Sequence, residues 1–355
     1  MIELTSIKNL WRDIMSFKKK IFMFSFMMIF VMMATTLTVS SQTIRLSHGM
    51  SPDTSSPTHA YAVAFKDYVE ANTDISIDIY SDNVLGGQQE VMEQTAEGDI
   101  HVTQVSIGGL SHYSDKALIY NFPYAYPEDN RVAYELWQRG NEFTNNLFDE
   151  FEEESGVRPV HVFPRGGGMA LTNSVRPVTS LDDMEGIQFR AMDQMQIELY
   201  RSLGADGVSV PWEELYTALQ TGVADGQLNP PYMFLQQSFD EVQDYMTLPG
   251  VSPGNGVWIV NPDWYHGLSE EDRAVIDVAF ERAFTVAEGI SYLQQALSVS
   301  EVESAGVEVS YQTEEEYNAF REAALDGMMD WAYEKWGEEF VDSFMEEIEK
   351  IESKY

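Results

Sequence analysis

The chain has 355 residues, 44% of them hydrophobic, which is enough for two domains with separate cores and excludes a disordered polymer. Its formal net charge is −37 and it contains no cysteine, so nucleic-acid binding, disulfides, thiolate metal sites and a lipid-modified N-terminal Cys are all excluded. Residues 1–41 hold five of the 21 Lys/Arg and two of the 58 Asp/Glu, leaving 16 basic and 56 acidic residues, a net charge of −40, on the remainder. Self-repulsion of that size is screened by salt, so a salt-loving source is the expectation.

The first 41 residues form a leader. Lys18, Lys19 and Lys20 precede Ile21 to Met33, a 13-residue run that is apolar apart from Ser25, and small or polar residues follow to Ser41. This is a secretory signal peptide rather than a membrane anchor, which needs about 20 apolar residues. Cleavage is expected near Ser41, and Met15 is an alternative start. Export without a lipid anchor places the protein in the periplasm.

From Thr43 to Ser106 strands and helices alternate: a strand at Thr43 to Ser47, a helix at Thr58 to Asn72, a strand at Ile75 to Tyr80, a helix at Gly87 to Glu97 and a strand at Ile100 to Ser106. That order predicts a parallel sheet. The strand ends His48 to Met50, Ser81 to Asn83 and Ser106 to Gly109 then share one edge and form a candidate cleft wall. Leu118 to Tyr126 is apolar and aromatic and enters the core. Arg131 to Glu154 reads as one long helix with an acidic, solvated C-terminal run. Strands are expected at Val157 to Phe163 and Met169 to Thr172. Between them Pro164-Arg165-Gly166-Gly167-Gly168 reads as a hinge or turn rather than a phosphate cradle, since no Gly-Lys-Ser/Thr follows.

Ser180 with Asp183 caps a short turn, and Ile187 to Met192 is a strand that puts Gln188, Arg190 and Met192 on one face. Asp193 with Gln196 caps the next helix, which ends at Gly204. Pro211, Glu213 and Glu214 suit a first helical turn, Trp212, Leu215, Tyr216 and Leu219 form an apolar stripe, and Gly222 stops it. Val223 to Leu228 is a short strand and Asn229-Pro230-Pro231 a turn at its carboxyl end, where a binding group is useful. Leu248 to Asn255 is a loop and Val257 to Val260 a strand. Ser269 to Ala305 is one helix of roughly 50 Å, long enough to link two domains. A strand at Val307 to Val309 and a helix from Glu314 to Glu352 complete the chain.

The stretch Trp212 to Pro230, with Ile187-Gln-Phe-Arg190 and Leu181-Asp-Asp-Met-Glu-Gly186 before it, resembles the solute-binding proteins of tripartite ATP-independent periplasmic (TRAP) transporters. The likeness runs from about Thr43 to the C-terminus. It implies a type II periplasmic-binding-protein fold: two discontinuous α/β domains, 42–164 plus 255–295 and 165–254 plus 296–355, a central cleft and a long linking helix. It implies a carrier that closes on a small organic carboxylate and hands it to a TRAP permease driven by an ion gradient, as a monomer and without cofactor.

From the residues alone, Arg190 reads as a solvated or salt-bridged side chain, Trp212 as core and Asn229 as a turn residue. The resemblance implies that Arg190 clamps the ligand carboxylate, that Asn229 contacts the ligand and that Trp212 walls the pocket. Tyr232 and Met233 are weaker candidates, and Ser106 and Gln104 would contribute from the opposite domain. Many relatives carry a second arginine where Met169 or Ala170 stands here; Arg165 is the available substitute. The region Phe65 to Gln94 also resembles the ectoine-binding members, whose N-terminal acid and pocket aromatics are replaced by Met50 and Gly109. Sialic acids and cationic ligands are therefore disfavoured and a monocarboxylate or hydroxy acid is favoured. The six histidines show no zinc spacing and there is no Gly-x-Ser-x-Gly elbow. No metal or catalytic residue is expected, and a periplasmic hydrolase or a ligand-sensing protein docking on a membrane receptor is the alternative.

Overall fold

The computed structural model describes residues 15, 43–127 and 129–355; apart from Met15, the expected leader lies outside the described residues. The chain runs β1 (Thr43–Ser47), α1 (Pro57–Asn72), β2 (Ser76–Tyr80), α2 (Gln88–Glu97), β3 (Val102–Val105) and the short α3 (Ile107–Leu110). After a buried 3-10 turn at Asp115–Asn121 come α4 (Asn130–Leu136), α5 (Glu142–Ser155), β4 (Arg158–Gly168), β5 (Ala170–Asn173), β6 (Gln188–Ala191), α6 (Gln194–Ser202) and β7 (Asp206–Ser209). Next are α7 (Leu215–Thr221), β8 (Gly226–Asn229), α8 (Pro231–Gln236), β9 (Tyr245–Leu248) and β10 (Pro253–Val260). The last elements are α9 (Pro262–Gly267), α10 (Glu270–Ser304), β11 (Glu308–Tyr311), α11 (Glu314–Trp336) and α12 (Glu338–Glu352).

The strands form two sheets, ordered β2-β1-β3-β10-β4 and β11-β9-β5-β8-β6-β7. β1 pairs in parallel with β2 and β3, as the alternating helices predict, but β10 returns antiparallel between β3 and β4. This is the two-sheet α/β architecture of the periplasmic-binding fold. Aromatic packing under the first sheet is dense: Tyr61 stacks on Trp258 with centroids 4.8 Å apart, and Phe65 on Phe280 at 4.5 Å.

α10 is the single long helix foreseen from sequence. Ser269 caps it by accepting from the Asp272 amide at 3.0 Å, three acids fill its first turn, and Gly306 lies just beyond its end at φ 98°. It packs on α1 and β4 of the first sheet and on α8 beside the second. Residues 296–355 were grouped with the second domain; α11 does pack on α6, whereas α12 packs on α4 and α5. This tail therefore touches both halves.

Four expected elements differ. The helix predicted over Arg131 to Glu154 is two, because Gly140 and Asn141 interrupt it and Asn141 caps α5 by accepting from Thr144 N at 3.0 Å. Glu314 to Glu352 likewise breaks at Gly337, which adopts φ 86°. The expected loop Leu248 to Asn255 is entered from both sides, by β9, which pairs with β5 and β11 and ends at Leu248, and by β10, which starts at Pro253; and the expected turn Pro164 to Gly168 is instead the end of β4. Among the described residues no helix is long and apolar enough to cross a membrane.

Candidate functional site

A cleft opens where the carboxyl ends of β1 and β3 face those of β6 and β8. It has two compartments that share Gln88, Ser106, Met192 and Trp212. The inner one has a cavity volume of ≈ 40 Å³ and the outer one ≈ 420 Å³. All three strand ends read as a cleft wall contribute, through Met50, Asn83 and Ser106.

Arg165 enters the inner compartment and Arg190 the outer one. Both are buried, at 7% and 2% exposure. Among the described residues neither has a carboxylate within 4.0 Å, although the chain holds 58 acids. Arg190 Nε donates to the Val210 carbonyl at 2.8 Å, which fixes the plane of the fork. Burial lowers Arg190 to about 10, opposed by Tyr200, Asp193 and Glu213, so it stays cationic at neutral pH. Among the described residues Arg165 Nε has no hydrogen-bond partner, and its Nη2 donates to the Met50 thioether at 3.3 Å, with the Tyr232 phenol close by. A buried cation so weakly partnered is costly unless an anion arrives.

The local sequence keeps Arg165 in place. Gly256 on the adjacent strand has no Cβ; one there would lie 2.8 Å from Arg165 Cδ, from Gln104 Nε2 and from a Phe163 ring carbon. Gly166 follows at φ 86°, and a Cβ on it would overlap the Tyr232 ring. Tyr232 thus backs the end of β4 rather than lining the cleft, and its neighbour Met233 lines it instead. Burial raises the Tyr232 phenol, which feels the Arg165 charge without a hydrogen bond of regular geometry.

The rest of the inner wall is uncharged. Six carboxamides (Asn83, Gln88, Gln104, Asn121, Asn229 and Asn255) and four methionines (Met50, Met169, Met192 and Met233) line it, with Trp212, and no Asp or Glu does. Asn229 donates to Gln227, which donates to Thr172 Oγ1 at 2.7 Å, which donates to Gln243 at 3.0 Å, so a buried polar chain holds its amide in orientation. Ser106 donates to Gln88 Oε1 at 2.8 Å and accepts from Gly109 N at 3.0 Å. Behind Met50, burial and then His59 push His48 down to about 3, so the pair His48 Nε2–His59 Nδ1, at 3.0 Å, is uncharged at His48.

Of the residues singled out from sequence, Gln104, Ser106, Arg165, Trp212 and Asn229 meet in the inner compartment, Arg190 lies beside it, and Tyr232 is behind. Sequence reasoning missed Gln88, Asn121 and Asn255. Their signal was faint: uncharged amides at element ends in a chain that elsewhere uses acids. No group of three or more His, Asp or Glu that could hold a metal exists among the described residues.

The sequence profile of bacterial extracellular solute-binding protein family 7 matches residues 48–334. An ectoine/5-hydroxyectoine-binding periplasmic protein of Ruegeria pomeroyi is 31% identical over 271 residues, 75% of this chain and 78% of that one. An ectoine-binding periplasmic protein of Halomonas elongata is 29% identical over 301 residues, 82% and 86% of the two chains. Among solved structures, a TRAP periplasmic solute-binding protein of Desulfovibrio salexigens with bound orotic acid superposes with a TM-score of 0.80 at 25% identity, over 87% of this chain and 99% of that one.

Proposed function

The chain belongs to family 7 of the bacterial extracellular solute-binding proteins, and on that premise we propose that it captures a small organic monocarboxylate, most suitably a hydroxy acid, in the periplasm. The observation that carries this is Arg165, buried in a compartment where, among the described residues, no acid neutralises it. Guanidinium matches carboxylate as a planar fork, and a ligand anion supplies the partner that the protein withholds. Arg190 extends the positive field from the outer compartment. The six carboxamides offer both donors and acceptors, which suits hydroxyl groups, and the thioethers adapt to a carbon frame.

One inner cationic side chain favours one carboxylate over two. The Ruegeria pomeroyi and Halomonas elongata relatives are ectoine-binding, and ectoine pairs its carboxylate with a cationic ring; here Met50 and the uncharged inner wall give a cation no ionised partner. Contacts from both sheets form together only when the cleft is shut, so the ligand favours closure. Family membership supports delivery of the ligand to an ion-gradient-driven TRAP permease. The group chemistry is retention without turnover. The test is a thermal-shift screen of carboxylates, sugar acids and compatible solutes on protein refolded from denaturant to strip carried-over ligand. A monocarboxylate that raises the melting temperature and is recovered unchanged supports the reading; consumption of the hit, or a response to cationic solutes alone, contradicts it.

A further inference from the structure

Two carboxylates beside the second sheet, on Asp193 and Glu213, abut glycines beside the first. A Cβ on Gly108 would lie 2.8 Å from Asp193 Oδ2, and one on Gly87 would lie 3.1 Å from Glu213 Oε1. Glu213 is exposed, but Asp193 is 6% exposed. Asp193 Oδ1 caps α6 by accepting from Gln196 N at 2.9 Å, while among the described residues Oδ2 is buried and has no hydrogen-bond partner.

No hydrogen bond of regular geometry among the described residues ties that second oxygen to α6. It faces the seam, where α3 brings only Ile107, Gly108, Gly109 and Leu110 and therefore no charge. The charged and titratable groups around it are Arg190 on β6, Tyr200 on its own helix, Glu213 beside Arg190, and His112 in the outer compartment. None of them makes an ion pair or hydrogen bond to Oδ2. Parting the cleft at Gly108 admits water to Oδ2; shutting it expels that water and supplies no donor in exchange. An ionised oxygen pays a heavy desolvation penalty there, whereas a protonated one does not. An anion arriving at Arg190 adds a like charge nearby and pushes the same way.

We propose that Asp193 is a positioning residue for capture: shutting the cleft over a carboxylate seats Asp193 against Gly108 and takes up one proton from solvent onto its side chain. The proposal rests on the reading of the cleft as a carboxylate trap. Burial as seen here raises Asp193 from its ordinary value to about 6, against the opposing pull of the Gln196 amide, the Arg190 charge and the Met195 amide. The sign follows from linkage. The shut form holds the proton more tightly than a water-exposed Asp near 3.9, so acid favours closure, by up to about tenfold per pH unit between about pH 6 and pH 4. Above pH 6 neither form carries the proton, and closure no longer responds to pH through this residue.

The test needs no ligand. Gln236 Nε2 donates to Ser51 Oγ at 3.1 Å across the same seam, and the chain has no cysteine of its own. A Ser51→Cys/Gln236→Cys protein bridged through its two thiols by a one-carbon bis-methanethiosulfonate therefore holds the two halves close to the spacing seen here. Asp193 is titrated by carboxyl carbon NMR on Asp-labelled protein, bridged and unbridged, with Asp193→Asn to assign its signal and circular dichroism to confirm the fold. The expected result is a titration midpoint at least one pH unit higher in the bridged protein. Equal midpoints overturn the proposal. Failure of every carboxylate to bind would sink the capture reading instead and leave this titration to be judged alone.

Discussion

Arg165→Met separates a ligand clamp from a structural arginine by the sign of two effects. Methionine keeps the length of the stem, and so its packing over Gly256, while removing a charge whose Nε is unpartnered among the described residues and whose Nη2 donates to Met50 Sδ. Replacing a poorly compensated buried charge with an apolar side chain of similar volume is neutral or stabilising, by up to about 1–4 kcal/mol. The same change removes the cationic half of a buried pair with the ligand and costs about 2–5 kcal/mol of binding, roughly 30-fold to several thousand-fold in Kd. Urea unfolding of ligand-free protein and calorimetric titration with the best carboxylate from the screen measure the two terms. Stability unchanged or raised together with lost affinity is expected. A protein that loses 2 kcal/mol or more of stability yet binds normally refutes the reasoning, since Arg165 would then be a structural residue.

Further predictions follow from neighbouring geometry. Arg190→Ala costs about 2–5 kcal/mol of binding but, unlike Arg165→Met, also destabilises the free protein by about 1–3 kcal/mol, because the Val210 carbonyl loses its donor; calorimetry and urea unfolding show both. Gly256→Ala crowds Arg165, Gln104 and Phe163, costs about 1–3 kcal/mol of stability through overpacking and weakens carboxylate binding in the same titration. Because His48 is held near 3, below its ordinary 6.5, the unfolded chain binds more protons than the native one between those values, so stability falls as pH drops from about 6.5 toward 3. His48→Asn, whose amide oxygen can still accept from Met50 N, flattens that fall by about one proton in unfolding measured from pH 7 to pH 4. With a net charge of −37 on the whole chain, the melting temperature rises from dilute buffer to molar salt; equal stability in both removes the salt-loving expectation.

Much of the scaffold was legible because local signals were strong. Ser269, its three following acids and Gly306 delimit α10 almost to the residue, and Asp193 and Ser180 cap the elements expected of them. The cleft wall was legible because parallel strands put their carboxyl ends on one edge, as Met50, Asn83 and Ser106 do. What escaped depends on tertiary contact. β9 is four residues long and is held by pairing with β5 and β11 rather than by its own pattern. The split at Asn141 needed its cap to be recognised inside a helix-forming run. At the site, a strand-end Arg announces nothing about burial. That Arg165 sits in the tighter compartment depends on Gly256 lying on the adjacent strand of the sheet, 91 positions later in the chain. Tyr232 next to the Asn229 turn was a fair candidate by position, yet helical geometry in α8 turns Met233 to the cleft and Tyr232 beneath Gly166.

The central claim is that a buried, unpaired guanidinium awaits an anion that is held and not transformed. Its most direct measurement is calorimetric titration of ligand-stripped protein with monocarboxylates, each paired with its own neutral carboxamide. The account predicts that at least one acid binds one per chain, is recovered intact and outcompetes its amide by tenfold or more. Acids and amides binding alike, or an acid consumed during the titration, would contradict it.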